Sequence, residues 1–191
     1  MSNSIQVIDD FLPYEIFYPF AWSCMNTTMY KPCSFTATLD EADGSMETFG
    51  EELVNKPLAE LMFQALLYLQ TEDVAHVSDY WRLNSNFIKK LEELLNVKRW
   101  WQARINCTIG QPKQHIGAYH KDYLQRDFEK CRTCILYLNT NNGGTKFESN
   151  GAIIDSKRNR LVKFPTHTRH AGVWATNAKL RYVLNMTYEE N

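Results

Sequence analysis

The chain has 191 residues, of which 44% are hydrophobic and 23% charged, as is typical of one globular domain. These values exclude disordered and fibrous proteins. No apolar run approaches the ~20 residues of a membrane-spanning helix, and the N-terminal segment carries acidic residues where a signal peptide needs basic ones. Five unevenly spaced cysteines suit a reducing compartment. We therefore expect a cytoplasmic protein with no membrane partner.

The net charge of −1 hides a strong asymmetry between the two halves of the chain. Residues 1–98 carry 6 basic and 15 acidic side chains, a balance of −9, whereas residues 99–191 carry 15 basic and 7 acidic ones, a balance of +8. The second half therefore favours an anionic partner: a nucleic acid, an acidic protein or a small dicarboxylate. Two solvated faces that attract each other are the alternative.

The first half of the chain predicts helices preceded by one short strand. Alternating apolar residues predict a strand over 5–8, and a helix is predicted over Tyr14–Met25. The polar, glycine-containing segment 36–50 predicts a loop, and Ser85–Leu95 has the apolar spacing of an amphipathic helix. Another amphipathic helix is predicted over 57–69. Its apolar stripe consists of Leu58, Leu61, Met62, Ala65, Leu66 and Leu69.

The second half changes to short β-rich segments about ten residues apart, separated by turn signals such as the Asn-Asn-Gly-Gly run at 141–144. This pattern is typical of a sandwich or jelly roll. We predict an α+β fold in a single domain over 1–191, with residues 1–98 as mainly helical support and residues 99–191 as a β core that holds the active site. The predicted strands are Trp101–Ile109, Thr133–Asn139, Ala152–Asp155, Arg160–Phe164, His170–Trp174 and Arg181–Tyr188.

The histidines give the first indication of chemistry, because four of the five follow residue 110, beside the predicted strands. In an extended segment, residues two apart point to the same face, so the pair His120-x-Asp122 brings an imidazole and a carboxylate together. A second imidazole would complete the two-histidine, one-carboxylate set that binds Fe(II) and leaves positions open. Chance alone gives about one such triplet in four chains of this composition, so a hydrogen-bonded surface pair is the alternative.

The order of residues downstream makes a specific resemblance. His170 follows His120 by fifty residues, and Arg181 follows eleven later. With His120-x-Asp122, this order resembles the Fe(II)- and 2-oxoglutarate-dependent oxygenases, and within them the prolyl 4-hydroxylase-like branch. Residues 131–147 are similar to the central strand and hairpin of that branch. The resemblance covers most of 104–188 and extends only loosely to the N-terminal half.

The resemblance implies a double-stranded β-helix, that is, a jelly-roll core buttressed by N-terminal helices. It also implies that His120, Asp122 and His170 are the iron ligands. Their imidazoles would be neutral at the metal, and the carboxylate would cancel one of its two charges. Since two metal–nitrogen bonds of ~2 Å must bridge them, the imidazoles of His120 and His170 should lie within about 5 Å of each other.

The resemblance further implies a cosubstrate pocket. Arg181 would bind the far carboxylate of 2-oxoglutarate, because its planar fork matches a planar anion. Many relatives have Ser two residues after this Arg, where this chain has Val183. The hydroxyl of Tyr137 is our candidate for that missing contact. Thr133 and Ile135 share the strand face of Tyr137 and would form the pocket walls.

Some residues in these segments leave alternatives open. Some prolyl hydroxylases anchor 2-oxoglutarate with Lys, and Lys179 lies nine residues after His170, although Arg181 is favoured. His167 competes with His170 as the distal ligand, but the two point to opposite faces of an extended chain. The pair Cys131-x-x-Cys134 is interpreted as core, because no second pair follows at zinc spacing.

The resemblance implies a dioxygenase that uses Fe(II), O2 and 2-oxoglutarate, with ascorbate in a supporting role, to hydroxylate a C–H bond. Branch similarity favours a prolyl side chain in a peptide or protein as substrate, followed by a free amino acid or small metabolite. Nucleic acid comes last, because oxygenases that demethylate it carry a second Arg six residues after the anchor, where this chain has Thr187. The sequence predicts no oligomeric state.

Two rival interpretations use the same fold. A metal-free jelly-roll binding module would be expected to have lost a ligand, and a cupin-type dioxygenase would leave Arg181 without a role. Segments 36–50 and 110–130 are candidate lids over the active site, because both are long, polar and glycine-containing.

Overall fold

The structure is a computed structural model that describes residues 4–27, 31–36, 46–48, 61–71, 73–122 and 130–191. Its helices are α1 (Tyr14–Met25), α2 (Asp79–Leu83) and α3 (Ser85–Leu95). Its strands are β1 (Gln6–Ile8), β2 (Lys31–Thr36), β3 (Met46–Thr48), β4 (Leu61–Gln70), β5 (Ala75–Val77), β6 (Val97–Ile109), β7 (Cys131–Tyr137), β8 (Gly144–Phe147), β9 (Ile153–Asp155), β10 (Leu161–Pro165), β11 (His170–Val173) and β12 (Leu180–Glu190).

Two antiparallel sheets form the core. The major sheet has the strand order β1-β10-β7-β12-β6-β4-β2-β3, with β5 paired to β4, and the minor sheet has the order β11-β8-β9. The three helices pack on the outer face of the major sheet through a large apolar cluster. The predicted jelly-roll core buttressed by helices is therefore confirmed, and all six predicted strands of the second half are present.

The major sheet separates two apolar cores because successive strand residues point to opposite faces. In β7, Cys134 and Leu136 face the helices, whereas Ile135 and Tyr137 join a smaller cluster between the sheets. Alternation in β12 likewise directs Val183 between the sheets. Polar residues that fall on this inner face are thereby buried inside the molecule, where the candidate site lies.

The helix predicted over 57–69 is wrong where the structure describes it, because Leu61–Gln70 forms strand β4. β4 lies between β2 and β6 in the major sheet and is buried on both faces. Met62 and Gln64 face the inner side, and Ala65 and Leu67 are buried as well. Pairing on both edges overrides the helix propensity of Leu, Met, Ala and Gln, and two buried faces remove the period-two signal of a strand.

The first half of the chain supplies strands as well as helices, since β1 to β5 all join the major sheet. The predicted helices at Tyr14–Met25 and Ser85–Leu95 and the predicted short strand near the N-terminus are confirmed. Within the predicted loop 36–50, residues 46–48 form β3, and most of the rest lies outside the described residues. None of the described helices is long and apolar enough to cross a membrane. The cytoplasmic location stays a prediction.

Candidate active site

His120 and His170 are placed side by side by their own backbones. The amide of His120 donates to the carbonyl of His170 at 2.9 Å, and the amide of His170 donates back to His120 at 2.9 Å. This reciprocal pair attaches the segment before Asp122 to β11, at the edge of the minor sheet. Their ring centroids lie 4.4 Å apart, within the separation predicted for two ligands of one ion.

Asp122 joins the two imidazoles from two residues further along. His120 Nε2 lies 3.9 Å from Asp122 Oδ1, and His170 Nε2 lies 3.5 Å from Asp122 Oδ2. Both separations exceed the ~2.7–3.2 Å of a good hydrogen bond, yet two metal–ligand bonds of ~2.1 Å span them. One ligand atom from each of the three residues lies within 4.8 Å of the others.

Hydrogen bonds to the backbone fix the outer nitrogen of each ring. His120 Nδ1 lies 3.3 Å from the Ala118 carbonyl, and His170 Nδ1 lies 3.0 Å from the Thr168 carbonyl. A carbonyl only accepts, so each Nδ1 carries a proton, which leaves Nε2, the nitrogen nearer Asp122, as the one that can bind a metal ion. This is the tautomer that a metal-binding histidine needs.

Burial sets the charges of the cluster. Desolvation, followed by the nearby His170, lowers the pKa of His120 to about 3, so this imidazole is neutral at physiological pH. Burial alone would raise the pKa of Asp122, but His170, His120 and Arg104 together hold it below its usual value. The result is one carboxylate and a neutral imidazole, as a divalent ion requires.

The donor set fits a divalent metal ion for a further reason. Asp122 Oδ2 is buried and has no hydrogen-bond partner among the described residues. A buried, ionised carboxylate oxygen without a donor is costly unless a cation binds it. Two imidazoles with one carboxylate are the ligand set of non-haem Fe(II).

Arg181 lies on β12 and lines the same cavity as His120 and His170. Its Nε donates to Ser156 Oγ at 3.1 Å and its Nη2 donates to the Gly144 carbonyl at 2.8 Å. The side chain is buried, and among the described residues no carboxylate lies within ion-pair distance of it. Because buried charges in proteins are paired, this guanidinium indicates an anionic ligand.

Two further buried donors lie along this cavity. Thr108 is directly opposite Arg181 in the β6–β12 register, and its hydroxyl has no hydrogen-bond partner among the described residues. Trp174 Nε1 is likewise buried without a partner in the described part of the chain. Gly117 lets the Trp174 ring pack close to the backbone, because a Cβ there would lie 2.8 Å from Trp174 Cζ3. Both groups are therefore buried donors whose hydrogen bonds the described residues do not satisfy.

The three predicted pocket residues on β7 have different positions. Ile135 lines the cavity. Thr133 is fully buried near Asp122, whose pKa its hydroxyl helps to lower. The Tyr137 hydroxyl lies 3.0 Å from the Ile154 carbonyl and 2.8 Å from Thr145 Oγ1. Its single proton is therefore used within the protein, and the Arg181 guanidinium lies 5.6 Å from its ring centre.

The competing residues lie away from this cluster. His167 and Lys179 are both exposed, whereas His170 and Arg181 are buried. His115 packs its ring against Trp174, with the centroids 5.1 Å apart. Cys131 and Cys134 are both buried in the fold, in agreement with their interpretation as core.

The polar residues that β6 and β12 contribute to the cavity are not predicted from the sequence. Arg104, Asn106 and Thr108 alternate along β6, and Asn185 faces Arg104 across the strands. The only sequence signal for them is the alternation of polar and apolar residues along β6. It was uninformative beforehand, because polar residues at alternate positions normally face solvent.

No protein-family model matches the sequence, and no curated protein sequence matches it. Solved structures with the same fold do exist. A Pseudomonas putida prolyl-4-hydroxylase is 14% identical, with 100% of this chain and 94% of that chain covered at a TM-score of 0.53. A Trichoplax adhaerens prolyl hydroxylase, in complex with a hypoxia inducible factor peptide fragment, is 16% identical, with coverage of 99% and 84% and a TM-score of 0.53.

A third structure is the epimerase SnoN in complex with Fe3+, alpha ketoglutarate and nogalamycin RO. It is 10% identical, with 98% of this chain and 79% of that chain covered at a TM-score of 0.58. At these identities the likeness shows the fold: the chain has the double-stranded β-helix fold of the 2-oxoglutarate- and Fe(II)-dependent oxygenases.

Proposed function

We propose that the protein is an Fe(II)- and 2-oxoglutarate-dependent dioxygenase that hydroxylates a C–H bond. The observation that carries the proposal is the convergence, in one cavity, of a buried His-Asp-His cluster and a buried guanidinium without a carboxylate partner among the described residues. A cation site and an anion site in one cavity suit a dicarboxylate that binds the metal with one end.

The residues take separate roles in this proposal. His120, Asp122 and His170 hold the iron, and the carbonyls of Ala118 and Thr168 orient the two imidazoles. Arg181 binds the far carboxylate of 2-oxoglutarate. Thr108 replaces the hydroxyl that relatives supply two residues after the Arg, since it lines the cavity opposite Arg181 and its Oγ1 has no hydrogen-bond partner among the described residues.

Tyr137, Ser156 and Gly144 support the anchor. The Tyr137 ring lies beneath the guanidinium, and the other two residues accept its hydrogen bonds. These contacts pre-orient the planar fork, so that little rotamer entropy is lost when the cosubstrate binds.

When bound, Fe(II) and 2-oxoglutarate supply the oxidising chemistry: O2 is consumed, 2-oxoglutarate becomes succinate and CO2, and the substrate gains a hydroxyl group. The chain contributes position, charge and the exclusion of water. Trp174 and Ile135 form apolar walls of the cavity. Apolar walls exclude water, which strengthens the electrostatic interactions of the site and limits side reactions.

The structural neighbours also bear on the class of substrate that is hydroxylated. The first two structural neighbours described above are prolyl hydroxylases, and one of these is in complex with a peptide fragment. This supports a prolyl side chain in a peptide or protein as the first substrate class to test. The neighbour SnoN is an epimerase, so the shared fold serves other substrates too.

Succinate formation tests the proposed activity. The purified protein is incubated with Fe(II), 2-oxoglutarate, ascorbate and O2, and succinate is quantified. We expect turnover in the wild type and a loss of at least about 100-fold in His170→Ala, because a ligand of the metal is removed. His167→Ala is the matched control, since His167 is exposed and three residues away.

Metal binding separates the enzyme from a binding module. Titration with Fe(II), Mn(II) or Co(II) should show one site at micromolar concentrations that His170→Ala loses. A wild-type protein that binds none of these ions would contradict the proposal and favour the metal-free jelly-roll module.

A further inference from the structure

Three amide side chains share the inner face of the major sheet beside the cavity. Gln64, Asn106 and Asn185 lie on β4, β6 and β12, which are neighbouring strands. Gln64 is directly opposite Asn106 in the β4–β6 register, and Asn106 is directly opposite Val183, two residues before Asn185. Asn106 and Asn185 line the cavity. Together Gln64, Asn106 and Asn185 form the amide surface.

Gln64 and Asn106 form a pair whose remaining groups are complementary to another amide. Gln64 Nε2 donates to Asn106 Oδ1 at 3.1 Å. This bond leaves the Gln64 side-chain oxygen as an acceptor and the Asn106 amino group as a donor, and neither forms a hydrogen bond with a described residue. A main-chain amide has one N–H and one C=O, so it can satisfy both groups. Since buried polar groups are normally hydrogen-bonded, the pair indicates a ligand of this chemistry.

Asn185 extends the same chemistry toward the metal ligands. Its side chain is 7% exposed and forms no hydrogen bond with a described residue. The register places it directly opposite Arg104, whose Nη2 lies 3.8 Å from Asp122 Oδ1. The charge of Arg104 is therefore opposed by the charge of Asp122, in an ion pair within the protein. The groups that the amide surface offers to a ligand are neutral.

The amide surface is wider than one amide group. Adjacent strands lie about 4.8 Å apart, so the distance from β12 to β4 is about 10 Å. An extended peptide advances about 3.3 Å per residue, so about three residues cover that width. A free asparagine or glutamine has a single amide group and cannot contact both sides of the surface with it. The width therefore favours a peptide segment, in which amide groups recur at every residue.

We propose that the amide surface binds the main chain of a peptide substrate and so presents one of its side chains to the metal ligands. This inference rests on the proposed oxygenase activity. Asn106 donates to a main-chain carbonyl, Gln64 accepts from the N–H that follows the reacting residue, and Asn185 contacts the amide on the metal side. Asn106 is half-buried, so the surface can be reached from solvent. A free amino acid would instead bring an ammonium and a carboxylate group to a neutral surface, where both lack a counter-charge.

The test removes one N–H from the substrate backbone. Succinate formation by the wild-type protein, with Fe(II), 2-oxoglutarate, ascorbate and O2, is measured alone and with three sets of probes: the N-acetyl N-methylamides of the common L-amino acids, the matched O-methyl esters, and the free amino acids. An ester keeps the carbonyl and the shape of the amide but has no N–H. We expect at least one N-methylamide to stimulate succinate formation, with a kcat/KM about 5- to 10-fold above that of its ester. Mass spectrometry should show that amide gaining one oxygen atom.

Gln64→Leu should reduce the ratio of amide to ester to near one, because the acceptor of the N–H is removed. Asn106→Leu should instead lower the kcat/KM of amide and ester alike, by about fivefold, because both keep the carbonyl. Gln70→Leu is the matched control, since Gln70 lies on the same strand and bonds to Tyr68 and Thr71. Mn(II) binding, measured by electron paramagnetic resonance, checks that each variant is folded. If Gln64→Leu raises the KM for 2-oxoglutarate and leaves the amide-to-ester ratio unchanged, the surface serves the cosubstrate and the proposal is overturned.

The remaining outcomes distinguish this inference from the proposed activity. Stimulation by free amino acids alone, free asparagine and glutamine included, or an equal kcat/KM for amide and ester in the wild type, overturns the inference and leaves the oxygenase standing. Basal succinate formation that no probe stimulates has the same meaning. Absence of succinate formation under every condition, together with absence of Mn(II) binding, overturns both.

Discussion

Arg181 is the residue on which the proposed anion site depends. Its guanidinium uses two donors on Ser156 and Gly144 and is surrounded by buried side chains. Burial lowers its pKa from the usual value, but an Arg remains charged at any physiological pH. Arg181 lines the cavity, and a carboxylate bound there would pair with its charge.

We predict that Arg181→Gln weakens 2-oxoglutarate binding by about 10- to 100-fold, because hydrogen bonds to a charged group are each worth about 1.5–3 kcal/mol. Arg181→Lys should recover part of this loss, since it keeps the charge but not the fork. The measurement is the KM for 2-oxoglutarate in the succinate assay. Lys179→Gln is the matched control, and an equal effect of that exposed substitution would transfer the anchor to Lys179.

The buried thiols provide a test of the core that is independent of activity. Burial raises the pKa of Cys24 and Cys134 to about 12 and that of Cys107 to about 11. In the unfolded chain these thiols ionise near pH 8.5–9. Their contribution to the free energy of unfolding is therefore complete below that pH and is lost as the pH rises toward 11–12.

At pH 8 we predict that iodoacetamide leaves Cys24, Cys107 and Cys134 unmodified in the native protein and modifies all three in urea. Peptide mass spectrometry locates the labelled residues, and the urea sample is the control for reagent and peptide recovery. Rapid labelling of any of the three under native conditions would show that its burial is wrong.

At the scale of secondary-structure elements, the turn between β9 and β10 holds the N-terminal segment in place. Asn159 has φ of 62° in the left-handed region, and its side chain makes two hydrogen bonds with the backbone of Leu12. Its carbonyl accepts from the Phe11 amide as well. One residue thus connects the beginning of α1 to the turn that precedes β10.

Two substitutions of Asn159 separate its side-chain bonds from its backbone conformation. Asn159→Gly keeps the positive φ and loses two buried hydrogen bonds, so it should lower the free energy of unfolding by about 2 kcal/mol. Asn159→Ala should cost about 1 kcal/mol more, because Ala is strained in the left-handed region. Urea unfolding monitored by circular dichroism measures both. An alanine variant as stable as the glycine variant would contradict the role of the backbone.

The elements also show which parts of the site a sequence can predict. His120 and Asp122 are two residues apart, so an extended backbone predicts that their side chains share a face. The β-rich segments after residue 99 are separated by turn signals at short intervals, and the structure contains them as strands. The buried face of β4 has no such signal, because its two apolar faces obscure the period of two on which strand prediction depends.

Register is the information that the sequence does not contain. Arg104, Asn185 and Thr108 meet in the cavity because β12 pairs with β6 from Leu180 to Glu190. A slip of one residue would turn each of these side chains to the helical face. The pairing is chosen by the whole packed sheet, so neither strand by itself predicts which polar residues become neighbours.

At the scale of the whole molecule, the candidate metal centre connects parts of the fold that are otherwise held by packing. His170 belongs to the minor sheet, and His120 is attached to it by backbone hydrogen bonds. Asp122 approaches Arg104 of the major sheet. An ion bound by this cluster therefore fixes the minor sheet against a residue in contact with the major sheet, and it binds only the folded protein.

Metal binding should accordingly raise the stability of the entire domain. A ligand at 100 times its Kd adds about 2.7 kcal/mol to the free energy of unfolding, which corresponds to about 5–10 °C in Tm for a domain of this size. We predict such a shift with Mn(II), measured by differential scanning calorimetry, and its reversal by a chelator. Asp122→Asn should remove the shift, whatever its own Tm, because the buried carboxylate supplies the only charged ligand of the described cluster. An equal shift in wild type and Asp122→Asn would place the ion elsewhere.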